Sequence, residues 1–205
     1  MNPNVIGPVM ERTVRFAALS RLLRGELVDP GSLSVATDLA IGTVVEALAR
    51  LDASGAIHLS NGTVAAAYPL SATPTRHRIL HGGTTAYANC AIDALAVPSM
   101  VEGAATVESH CAHCDRGITV QMRGEDILAS HPEAPVVFHV ERDCCEPGPT
   151  VLVRCPHINF FCGSDHAGRW RAENAGMTGE TLTLRQAVTR AREVFAPVIR
   201  LCKPG

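Results

Sequence analysis

No apolar run in the 205-residue chain reaches the length of a membrane span, so no membrane partner is expected. The N-terminus, MNPNVIGPVMERTVRF, lacks the basic start and apolar core of a secretory signal, so the expected location is the cytoplasm. A basic field is also missing. Eighteen Lys and Arg stand against 20 Asp and Glu, for a net charge of -2, and nothing in that balance recruits nucleic acid. There is no glycine-rich phosphate loop and no serine nucleophile elbow, which argues against nucleotide chemistry and serine hydrolysis. No pair of histidines at i, i+4 falls in a predicted helix, so a helical zinc site is not expected. His110, His113, His139 and His157 lie on or beside predicted strands and are read as structural.

Cysteine is absent from the first 89 residues, and all eight cysteines lie from Cys90 onward. The two parts of the chain therefore look like different kinds of protein, 1–79 and 80–205. A reduced cytosol disfavours a disulfide framework, which leaves metal binding or thiol chemistry as the stronger reading of so many thiols. The remaining composition, 46% hydrophobic and 19% charged, is that of a globular protein with a sizeable core.

In the first part, the apolar spacing of Val14, Phe16, Ala17, Leu19, Leu22 and Leu23 predicts a helix over 11–25. Two more helices are expected at about 30–38 and 41–53, the second stopped by Gly55. Asn61-Gly62 then marks a hairpin between two short strands. Three helices and a hairpin outline a winged helix. The helix that would read DNA, IGTVVEALARLDA, carries Arg50 as its one cation, so a structural or docking role is expected and not specific nucleic-acid binding. Residues 71–83 read as a linker.

The second part opens on TAYANCAIDALAVP, residues 85–98, read as a helix capped by Thr84 or Thr85 and stopped at Pro98. Period-two patterns then predict a hairpin of 105–111 with 117–123, a strand at 134–142, and strands at 150–155 and 157–163, or one strand bent at Pro156. A short helix around Trp170 and a longer one at 184–201 close the chain. The expected fold is α+β, a winged-helix-like segment packed on a mixed or antiparallel sheet with flanking helices.

Cys90 and Asp93 stand one helical turn apart, so thiol and carboxyl point into the same space. Alanines, Ile92 and Leu95 make that space apolar, and desolvation there keeps a proton on a carboxylate. Cys155, expected to close a strand before Pro156, is rigidly placed to present a ligand to a cavity. CAHC, residues 111–114, in a hairpin turn, has the spacing of a zinc-knuckle half-site, for which Cys144-Cys145 is the nearby candidate second pair. Adjacent cysteines chelate one zinc poorly, and their loop, RDCCEPGP, reads as accessible and oxidisable. For each of these cysteines, core packing is the competing reading.

YANCAIDALAVP, then ESHC, then RCPHINFF with Trp170 downstream, resembles the organomercurial lyases (alkylmercury lyases) over roughly 80–175. The resemblance implies protonolysis of a carbon–mercury bond to a hydrocarbon and Hg(II), without an organic cofactor. It implies that Cys90 and Cys155 bind mercury, that Asp93 supplies the proton, and that the three together form the metal site. Hg(II) is then the bound product, external thiols support turnover, and a mercuric reductase is a candidate recipient. Cys111 takes the family's structural cysteine position. The chain departs from the family where Asn89 and Arg154 replace aromatic residues and where Pro156 replaces a second cysteine. These changes make the pocket rim more polar, and Cys114, Cys144, Cys145 and Cys162 lie outside the family pattern. Two other readings compete: a thiol-rich protein that holds Hg(II) or zinc without turnover, and a metal-responsive winged-helix regulator.

Overall fold

Asp29 shows how local chemistry sets the N-terminal layout in the computed structural model, which describes residues 3–141 and 147–202. Its carboxylate accepts from the Ser32 N–H at 2.9 Å, and the Ser32 hydroxyl accepts from the Asp29 N–H at 3.1 Å. This reciprocal cap, with Pro30 in the first turn, starts α2 (Pro30–Thr37), which ends at Asp38 in the left-handed region. α1 (Pro3–Leu23) and α3 (Ile41–Ala53) pack on each other and on α2. Val14, Leu19, Leu33, Val44 and Leu48 are buried among them. β1 (Ile57–Ser60) and β2 (Thr63–Ala67) follow as a hairpin. Asn61 and Gly62 both have positive φ, as a tight two-residue turn of this hand requires.

That hairpin is the edge of an eight-stranded antiparallel sheet ordered β1-β2-β3-β5-β4-β6-β7-β8. The added strands are β3 (Leu70–Ser71), β4 (His77–His81), β5 (Thr84–Ala88), β6 (Ala105–His110), β7 (Gly117–Arg123) and β8 (Asp126–His131). Here the sequence reading needs two corrections. Residues 71–83 are not a linker, because β4 lies there and pairs with both β5 and β6. The helix expected from Thr85 begins only at Ala91, because residues 84–88 pair along β4 as a strand. Cross-strand pairing overrides the helical propensity of an alanine-rich stretch. α4 (Ala91–Ala96) is left short and wholly buried.

A second sheet, ordered β10-β9-β11, is antiparallel throughout. It consists of β9 (Val136–Val140), β10 (Asn159–Phe161) and β11 (Gly179–Thr183). β9 is central, with Val136, Val137, Phe138 and Val140 all buried, so both of its faces are covered. Residues 150–155, expected as a strand because of their β-branched side chains, instead form α5 (Thr150–Val153) and the start of a 3-10 turn, Cys155–His157. Pro156 cannot donate to a sheet ladder, and it sits at the start of that turn. α6 (Ser164–Glu173) lays Trp170 on Phe138 and Phe161, with ring centroids 5.3 and 5.6 Å apart. α7 (Leu184–Cys202) packs on α4, β9 and β11. α4 is thus enclosed by strands of both sheets and by α7. β8 and β11 were not foreseen: β8 is mostly exposed and lacks a clean alternation. No single helix among the described residues is long and apolar enough to cross a membrane.

Two glycines test the packing of this fold. A Cβ on Gly179 would collide with the His139 carbonyl oxygen and would come within 2.8 Å of Phe138 and 2.9 Å of the Val140 backbone. One on Gly42, in the first turn of α3, would meet nothing. Gly179→Ala is therefore expected to lower stability by about 2 kcal/mol or more. Gly42→Ala should be neutral or stabilising by up to about 1 kcal/mol. Denaturant midpoints for the two variants check this, and equal midpoints would contradict the β9–β11 packing.

Candidate active site

Cys90 lies two residues beyond β5 and caps α4. Its backbone is extended, with φ -152° and ψ 178°, and its Sγ accepts the Asp93 N–H at 3.4 Å. The sulfur takes the place usually held by a Ser, Thr, Asp or Asn oxygen at a helix start. One residue on, the Ala91 N–H donates to the Ile158 carbonyl at 3.0 Å. Ile158 in turn closes the 3-10 turn by donating to Cys155 O at 3.1 Å. Two backbone bonds therefore tie the Cys90 corner to the Cys155 turn, although the two cysteines are far apart in sequence. The Asn159 side-chain amide donates to Pro156 O at 2.7 Å and steadies the same turn.

These bonds bring Cys90, Asp93 and Cys155 together. One ligand atom from each lies within 4.8 Å of the others. The Cys155 thiol donates toward Asp93 Oδ2 at 3.9 Å. All three are buried, with exposures of 1%, 4% and 2%. Burial pushes the Asp93 carboxyl up to about 7, against donation from Asn89, Cys90 and Cys155 that favours the ionised form. Burial also raises the Cys90 thiol well above its ordinary value, helped by Cys155 and by the negative charge of Asp93. The resting site is then a protonated Cys90 thiol, with the Cys155 sulfur beside it, next to a carboxyl that still exchanges its proton near neutrality. Such a set can grip a soft metal and deliver a proton beside it.

A cavity of about 550 Å³ opens onto the three residues and is lined also by Tyr68, Ile92, Arg154, Ile158 and Phe195. Tyr68 went unnoticed in the sequence, where nothing marks its distant neighbours. Its hydroxyl accepts the Val151 N–H at 2.8 Å, and burial raises its pKa to about 12, so it stays a neutral phenol. Arg154 donates to Val140 O at 3.2 Å, and its buried Nε has no partner among the described residues. Asn89 donates to Pro69 O at 3.1 Å and touches Asp93. Of the two polar replacements, Arg154 lines this cavity, whereas Asn89 lines a separate hollow with Thr75, His77 and Trp170.

Among the described residues, no other cysteine joins this cluster. Cys111 and Cys114 sit at the β6–β7 turn and meet Cys162 and His166 instead. Cys144 and Cys145, expected to complete the CAHC pair, lie outside the described residues, and Cys162 and His166 occupy the complementary positions. The spacing Cys162-x3-His166 was a signal that the sequence reading left unused.

Residues 70–196 match the family model described as alkylmercury lyase. The chain is 27% identical over 123 residues to an alkylmercury lyase of Bacillus cereus, across 60% of this chain and 55% of the relative. It has the same identity and coverage to one of Clostridium butyricum. It is 24% identical over 152 residues to one of Staphylococcus epidermidis, across 74% of this chain and 68% of the relative. The chain thus spans little more than half the length of the first two relatives. Its fold is similar to the crystal structure of the mercury-bound form of MerB2, with a TM-score of 0.77 and 26% identity over 95% of this chain and 91% of that one.

Proposed function

The chain belongs to the alkylmercury lyase family, and from that premise we propose that it cleaves carbon–mercury bonds by protonolysis at Cys90, Cys155 and Asp93. One observation carries the reading: two buried thiols and a carboxyl titrating at about 7 lie with their ligand atoms within 4.8 Å. With metal–thiolate bonds of about 2.3 Å for a comparable ion, that spacing suits one metal held by both sulfurs. The first thiol displaces the organomercurial's one exchangeable ligand, which leaves with that thiol's proton; the second thiol then adds to mercury and gives its proton to solvent. The two thiolates push electron density toward carbon. The Asp93 carboxyl then gives its proton to carbon, the carbon–mercury pair becomes the new C–H bond, and hydrocarbon leaves. Hg(II) stays on two sulfurs as a neutral bis-thiolate, and the single negative charge of the three-ligand adduct passes to the Asp93 carboxylate. Buried thiolates release such an ion by exchange with external thiols, which would also carry it to a mercuric reductase. No organic cofactor enters any of these steps.

Incubating the reduced protein with phenylmercury tests the reading. Benzene should appear with one Hg(II) left per chain. Retention of intact phenylmercury without benzene would replace the proposal with simple sequestration.

The proton donor also sets a pH dependence. Asp93 must be protonated to act, so single-turnover hydrocarbon release from the preformed adduct should fall as pH rises through about 7. Asn89 holds that pKa down, so Asn89→Leu should move the falling limb to higher pH. A limb that moved down, or a flat profile, would remove Asp93 from the proton-transfer step.

Residues 1–79 are read as a winged-helix-like unit that docks on the catalytic part, 80–205. In α3 the Arg50 side chain is engaged by Glu11 at 2.7 Å and by Glu46 at 3.8 Å, which leaves that helix poorly suited to phosphates. This favours docking over the regulator alternative.

A further inference from the structure

Four potential metal ligands lie outside the mercury site. Cys111 follows β6 and Cys114 sits in the turn to β7; Cys162 follows β10, and His166 lies in the first turn of α6. Their ligand atoms all fall within 4.8 Å of one another. Cys114 Sγ and Cys162 Sγ are 3.8 Å apart, and Cys111 Sγ is 3.5 Å from His166 Nδ1.

Those two distances have a simple geometric meaning. A tetrahedral zinc has arms of about 2.3 Å to sulfur and about 2.0–2.1 Å to nitrogen, so its S···S edge is about 3.8 Å and its S···N edge about 3.5 Å. Both measured edges agree. A disulfide between Cys114 and Cys162 would need the sulfurs at about 2.05 Å.

The backbone is arranged for the same purpose. The Asp115 N–H donates to Cys111 O at 2.9 Å, the Cys111 N–H donates to Arg116 O at 2.9 Å, and Asp115 turns the chain with φ 57°. These bonds fold the Cys-x-x-Cys stretch into a tight turn that carries Cys111 and Cys114 toward Cys162 and His166.

We propose that Cys111, Cys114, Cys162 and His166 form a structural zinc site, independent of the mercury chemistry. The donor set is closed: four protein ligands leave no open position for substrate. The ion would cross-link the β6–β7 turn of the large sheet to β10 and α6 of the small one. It would thereby fix the strand that follows the Cys155 turn.

The metal content of the full-length protein, purified without added metal, tests this. About one equivalent of zinc per chain is expected in the wild type and in Cys90→Ser/Cys155→Ser, and it should be lost in Cys114→Ser and in His166→Asn. Exchange with Co(II) should give the intense visible bands of a tetrahedral thiolate-rich site in the wild type, a readout that does not depend on any variant folding. Stripping by a chelator should lower the melting temperature, and Zn(II) alone should restore it. Three results would overturn the proposal: a metal-free protein whose melting temperature ignores chelator and Zn(II), six-coordinate Co(II) bands, or zinc that disappears with Cys90→Ser/Cys155→Ser. None of these readouts requires carbon–mercury cleavage, so failure here is distinguishable from failure of the lyase reading.

Discussion

Asp93→Asn is expected to slow hydrocarbon release at least ~100-fold, the usual scale for a lost general acid, while organomercurial binding persists. The amide keeps the shape of the side chain and has no transferable proton. Capture of the metal needs only the sulfurs of Cys90 and Cys155, and both stay in place. Mass spectrometry of the adduct, with single-turnover hydrocarbon measurements, separates the two steps. Wild-type release by Asp93→Asn would make Asp93 a structural residue. A second, activity-free signal accompanies the first. The carboxyl titrates at about 7 in the folded protein against an ordinary 3.8, so between these values the native state holds a proton that the unfolded chain has given up. Its contribution to stability is complete below about pH 4 and is lost as pH rises toward 7. The wild type should therefore lose stability relative to Asp93→Asn across that window, on the order of a few kcal/mol.

Cys90→Ser and Cys155→Ser should each weaken organomercurial binding by on the order of 10²–10⁴, because a second tethered ligand acts as a high local concentration of thiol. Hydrocarbon release should fall with binding, unlike in Asp93→Asn. Serine is the informative replacement at position 90. Its hydroxyl can still accept the Asp93 N–H that Sγ accepts now, so the helix start survives and only the soft ligand is lost. Alanine there would also remove the cap, at about 0.5–2 kcal/mol. Unchanged adduct formation by either serine variant would exclude that cysteine from the mercury site.

The placement of these residues was legible in the sequence to different depths. Cys90 and Asp93 could be paired because their separation is local, even though the helix carrying them starts six residues later than expected, at Ala91. The error came from reading Ala86 and Ala88 as helix formers when β4 on one side and β3 on the other recruit them into a sheet. Cys155 was proposed as a ligand from its place before Pro156 and from a family resemblance, while its local structure was misread. The β-branched Thr150, Val151 and Val153 suggest a strand, yet no neighbouring strand pairs with them, and they fold as one helical turn. Tyr68 and His166 were missed because each gains its meaning from groups far along the chain: Val151 for one, Cys111 for the other. Hairpins and capping boxes announce themselves in sequence; convergence through Ala91–Ile158 does not.

The continuous ladder from β1 to β8 has a consequence for dissecting the molecule. A fragment started at residue 80 would remove β1 to β3 and cut through β4. β5 would then lose β3 on one side and keep only Leu80 and His81 on the other, and most of β6 would present a bare row of amides and carbonyls. Open edges of that kind recruit other chains and aggregate. The cysteine-free N-terminal segment, which supplies none of the proposed ligands, thus serves as a solubility shield for the strand that leads into Cys90. Minimised versions of this protein should keep it, and loop swaps should be confined to turns such as Gly124–Glu125, where the ladder is not interrupted.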